Sequence, residues 1–202
     1  MIGSAWKQVD ILTTNLNYFR SGRFLIEPHP IARALENGAT VRIITMDPES
    51  VIAEYRAKQL MRSHDVPGYR RELREGIIWF FENFSNIQQF HLHIYNDLPL
   101  QITTRVDQTI ITSIVTRGER ARKRIQIQFS VYDEGVTESF ISHFQTMFDN
   151  STDVAGVKWV LRHPPQESGG SEESVVTSNV RLQRKPGSPN RPEAPRQRER
   201  EG

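Results

Sequence analysis

Asp107 stands as a lone carboxylate between two short runs of apolar and hydroxyl residues, Leu100-Gln-Ile-Thr-Thr-Arg-Val on one side and Gln-Thr-Ile-Ile-Thr-Ser113 on the other. An acid at a strand end could bind or orient a ligand. Equally, Asp-Gln-Thr suits a tight turn in which aspartate accepts backbone N–H groups. His91 and His93 are two apart, so on a strand they share one face. With Asp97 nearby they could hold a metal or a phosphate, or support hydrolysis at an atypical site. The plainer reading is a solvent-facing or helix-covered strand without a ligand, because no third metal ligand lies close in sequence. Asn15, Asn17 and Tyr18 form a polar and aromatic group, and Asp47 stands alone further on. The run Arg117–Arg124 has five basic residues and one acid, Glu119. It could neutralise phosphate, but no aromatic is interleaved to stack on bases, so a solvated hairpin tip is the expectation.

These residues are positioned by a readable order of elements. Val9 to Leu12 is a short apolar run, expected as a buried strand, and Thr13 to Gly22 as the loop leaving it. Pro30 to Asn37 reads as a helix with Pro30 in its first turn and Gly38 at its C-cap. Val41 to Thr45 is a second buried strand. Asp47-Pro48-Glu49-Ser50 reads as a helix start capped by Asp47, running to about Met61. His64 to Gly68 is a break. Tyr69 to Phe84 carries Tyr69, Leu73, Ile77, Phe80, Phe81 and Phe84 on one helical face. Period-two alternation follows at Phe90, Leu92 and Ile94, with further strands at 100–104, 109–116 and 125–132. Thr137 to Asn150 is a helix with Phe140, Ile141, Phe144, Met147 and Phe148 at spacings of three and four. Val157 to Leu161 is too short to assign. The first half implies a strand–helix–strand unit with parallel pairing and the second half antiparallel neighbours. The expected fold is α/β, a mixed β-sheet flanked by helices. In such sheets ligands bind beyond the carboxyl ends of the parallel strands. Asn15, Asn17, Tyr18 and Asp47 are therefore candidates to line a pocket, against loop chemistry for the asparagines and helix capping for Asp47.

Composition bounds the rest. The chain has 202 residues and no cysteine, which rules out disulfides and thiol chemistry. A net charge of +2 is too balanced to argue nucleic-acid binding. No basic and apolar leader opens the chain, and no run approaches the length of a membrane span, so a cytoplasmic setting is expected. One domain, residues 1–163, is expected. Residues 164–202 hold six of the eleven prolines, no aromatic, seven basic and six acidic side chains. Such a segment cannot bury enough apolar area to offset its ordering entropy, and a disordered tail is expected.

Val-Asp-Ile-Leu, a polar loop, a helix ending in Asn37-Gly38 and then Val41-Arg42-Ile43-Ile44-Thr45-Met46-Asp47-Pro48 together resemble the phospholipase D-like superfamily over roughly residues 5–150. The nearest likeness is to the degenerate domains of bacterial regulators. The resemblance implies a single phospholipase D-like repeat. Its catalytic motif, His-x-Lys-x-x-x-x-Asp followed by a strand ending in Gly-Ser, aligns through Asp107. That puts Leu100 at the histidine position, Ile102 at the lysine position, Thr112 at the glycine and Ser113 near the serine. Leucine cannot attack phosphorus and isoleucine cannot neutralise phosphate. The resemblance therefore implies a non-catalytic sensor, regulatory or interaction domain, with Asn15, Asn17, Tyr18, Asp47 and Asp107 as candidate ligand residues. The ligand would be small and polar or phosphorylated. Neither a metal nor another cofactor is expected, and the family's paired half-sites imply a homodimer. The alternative is a phosphodiesterase, nuclease or phospholipase with an atypical site at His91 or His93.

Overall fold

The computed structural model describes residues 1–20, 28–60, 65–98, 101–115, 126–130 and 134–155. The chain divides into two units, Met1–Gln166 and Glu167–Gly202, and every described residue belongs to the first. Leu100, the basic run 117–124, the stretch 157–161 and the tail expected at 164–202 lie outside the described residues.

Strand β1 (Gln8–Thr13) leads through a 3-10 turn at Leu16–Arg20 to helix α1 (Pro30–Glu36) and strand β2 (Thr40–Met46). Helices α2 (Val51–Gln59) and α3 (Val66–Phe84) precede β3 (Phe90–Tyr95). Strands β4 (Gln101–Val106), β5 (Thr109–Ile114) and β6 (Ile127–Ser130) follow, then α4 (Glu134–Asp149) and the short β7 (Thr152–Asp153). The seven strands form one sheet in the order β6-β5-β4-β1-β2-β3-β7. β1, β2 and β3 run parallel, and the other pairings are antiparallel. This is the mixed α/β architecture that the alternation of elements predicts.

Strands covered on both faces need apolar side chains on both. Val9, Ile11, Val41, Ile43, Leu92 and Ile94 form one core with α1 and the later turns of α3 (Ile77, Phe80, Phe84). Leu12, Ile44, Met46 and Tyr95 form the other with α2, the first turns of α3 (Tyr69, Leu73) and Phe144 of α4. Tyr95 is thus buried, although alternation alone leaves its face open to solvent. Arg56 is buried too, beside Tyr69 and Tyr95, and burial holds its guanidinium pKa below the ordinary value.

Three helix starts differ from the sequence reading, α4 beginning at Glu134 rather than Thr137. α2 is capped by Ser50, whose Oγ accepts from the Ala53 N–H at 3.0 Å. Asp47 closes its own small turn one step earlier, its Oδ1 accepting from the Glu49 N–H at 2.9 Å. Both are good caps, and the tertiary position of β2 decides between them. α3 begins at Val66 rather than Tyr69, because Asp65 caps it and Pro67 fits its first turn. The loop after β1 is also more ordered than its polarity implies, because Leu16 and Phe19 are buried. Gly76 of α3 sits against that turn: a Cβ there would meet Leu16 Cβ at 3.0 Å.

Candidate ligand-binding site

The parallel strands end together. Met46 and Tyr95 are partners in register, and the Asp47 N–H donates to the Tyr95 carbonyl at 2.9 Å. Asp47 on one chain segment and Asn96 and Asp97 on the next therefore project past the same sheet edge. The C-terminal turn of α4 closes over them with Met147 and Asn150, and Thr152 of β7 completes the wall. The resulting cleft holds about 300 Å³. That is the small end of the range for ligand pockets, roughly 300–1,000 Å³. Among the described residues no Arg, Lys or His lines it.

Of the candidates read from sequence, only Asp47 and Asp97 lie in this cleft. Asn15 and Asn17 belong to the adjoining turn after β1. The Asn15 side chain accepts from the Asn17 N–H at 2.8 Å, and Asn17 accepts from Arg20 at 3.0 Å. Tyr18 is exposed there, edge-on to Phe19 at 5.4 Å between ring centroids. These three serve the turn and do not line the cleft.

Asp107 is at the other end of the sheet, and the candidate ligand set that included it is not one site. Its backbone N–H donates to the carbonyl of Gln8, the first residue of β1, whereas the cleft lies beyond the strands' last residues. Its carboxylate accepts from the N–H groups of Trp6, Lys7 and Gln8 at 3.2, 3.0 and 2.8 Å. Its φ of 49° is left-handed, as the first position of a two-residue hairpin requires. Aspartate tolerates that conformation better than most residues. Asp107 is the turn residue of β4–β5 and the clamp on the start of β1. Ile102 lies opposite Ser113 across that hairpin.

His91 and His93 lie on β3, which runs between β2 and β7, with His91 exposed and His93 half-buried. His93 stacks on Phe148 of α4, centroids 4.0 Å apart and planes at 21°. Its Nδ1 is 2.8 Å from Ser151 Oγ, and that hydroxyl donates to the Phe148 carbonyl at 2.6 Å. The hydroxyl proton being committed there, Nδ1 is the donor to Oγ. His91 meets Phe148 edge-on at 6.3 Å. Among the described residues no three His, Asp or Glu side chains are grouped to hold a metal ion.

Burial holds the His93 pKa below its ordinary value, with His91 and Arg42 acting the same way and Asp153 and the Phe148 carbonyl opposing. The unfolded imidazole titrates near 6.5 and the folded one lower. Between those pH values the unfolded chain binds more protons, so stability is full above 6.5 and declines as pH falls below it. The urea midpoint is expected to drop from pH 7.5 to pH 5.5, and to drop less in His93→Gln. An equal drop in both proteins would remove His93 as the cause.

The same face of the sheet holds a charged group that the sequence pattern conceals. Asp10, on β1, has a side chain only 3% exposed. Its Oδ1 accepts from Arg42 Nε and from Gln8 Nε2, each at 2.7 Å, and Arg105 Nη1 lies 3.6 Å from Oδ2. The Arg42 guanidinium in turn lies over the rings of Phe144 and Phe148, 4.9 and 5.0 Å from their centroids. It also donates to Gln145 at 2.8 Å. α4 is therefore seated on a paired cation rather than on a purely apolar surface, a cation–π contact of the common arginine type.

Fold and cleft together define a mixed α/β domain with a ligand-sized cleft beyond the carboxyl ends of two parallel strands. No family model matches the chain, and no curated protein sequence matches it. Several solved structures share part of its chain course, among them the following two. One is TrmBL2, an archaeal chromatin protein described as showing a novel mode of DNA binding. It is 12% identical with a TM-score of 0.46, over 76% of this chain and 47% of that one. The other is a phosphatidylserine synthase of Haemophilus influenzae Rd KW20, 19% identical with a TM-score of 0.47, over 75% of this chain and 35% of that one. The chain thus spans less than half of either. No helix among the described residues is long and apolar enough to cross a membrane.

Proposed function

We propose that this chain is a non-catalytic, phospholipase D-like sensor or regulatory domain of cytoplasmic proteins, and that the cleft beyond β2 and β3 binds its ligand. The observation that carries the reading is the cleft itself. It lies where open α/β sheets bind ligands, and polar side chains from three separate segments converge on it. The register of the β4–β5 hairpin supports the family frame: Ile102 and Ser113, at the positions of the family's lysine and serine, are cross-strand partners. A histidine phosphodiesterase is the poorer reading. The His93 ring is stacked and hydrogen-bonded to hold α4, and Asp107 spends its carboxylate on three backbone amides.

Two measurements test this. Titrating a library of small polar metabolites into labelled protein is expected to shift the amide resonances of Asn96, Asp97, Asn150 and Thr152 selectively. A bound ligand should also raise thermal stability, by about 2.7 kcal/mol at one hundred times its Kd. No selective shift across the library would remove the sensor reading. Turnover of a chromogenic phosphodiester or single-stranded DNA, abolished in His93→Ala, would overturn the non-catalytic reading. The frame also carries the expectation of a homodimer, checked by light scattering at high micromolar concentration, where a monomer mass would count against it.

A further inference from the structure

We draw no further inference here: the strongest candidate, the apolar patch at the β6 edge of the sheet where Ile127 and, on the neighbouring β5, Ile114 are exposed, carries nothing because no described residue shows what covers it.

Discussion

Replacing Asp10 by alanine is expected to lower the stability of the domain by about 3 kcal/mol. The reason is what remains behind rather than what is removed. Asp10 accepts from Arg42 and Gln8 and faces Arg105 within a few ångströms, with its side chain almost wholly excluded from water. Without it, the guanidinium groups of Arg42, which lies under α4, and of Arg105 have no ion-pair partner among the described residues. They are 16% and 21% exposed, so water relieves part of the cost, which places the estimate at the lower end for breaking a buried pair, about 3–5 kcal/mol. Asp10→Asn should cost clearly less, since the amide oxygen still accepts from Arg42. Pairing Asp10→Leu with Arg42→Met should recover much of the loss, because matched apolar replacements of buried ion pairs are often near neutral. Urea unfolding at constant m-value measures all three. A loss under about 1 kcal/mol in Asp10→Ala would show that the network does not hold α4 to the sheet.

Asp107→Ala is expected to cost about 2 kcal/mol for the three lost amide contacts, two of them solvent-exposed, and about 1 kcal/mol for left-handed strain. Three variants separate the terms. Glycine relieves the strain but loses the carboxylate. Asparagine keeps one acceptor oxygen and tolerates positive φ. The expected order of damage is alanine, then glycine, then asparagine. The cleft should be untouched, because β1 runs the length of the sheet between the two places, roughly 16–20 Å. Thermal melts give the order, and the amide shifts of Asn96 and Asn150 report on the cleft. Loss of ligand response at those residues in a folded Asp107→Asn protein would return Asp107 to the ligand site.

The two residues show how legibility divides. Asp107 was visible as a singular acid, and the tight-turn chemistry of Asp-Gln-Thr was readable from three residues. Its partners at Trp6, Lys7 and Gln8 lie about a hundred positions away, and nothing local encodes them. Asp10 was hidden inside Val-Asp-Ile-Leu, which reads as an apolar strand. The signal that could have found it is Arg42 at the second place of Val-Arg-Ile-Ile, because equal offsets in neighbouring parallel strands become neighbours. In the sequence Asp97 stands out only beside His91 and His93. The rule that chose Asn15 and Asp47, polar residues directly after a parallel strand, selects Asn96 and Asp97 equally well once β3 is known to run parallel to β2.

The sequence by itself determined the α/β class, the buried strands, the helices and the absence of thiol chemistry. Each follows from local periodicity, turn residues or composition, which act within a few positions along the chain. Only the tertiary structure decided that Ser50 rather than Asp47 caps α2, and that His93 holds α4 rather than facing solvent. It alone sent Asp107 and Asp47 to opposite ends of one sheet. It alone closed α4, some fifty residues beyond β3, over the ends of two parallel strands to make the cleft. Those outcomes depend on which distant surfaces bury one another, and a linear pattern of residue types does not record that pairing.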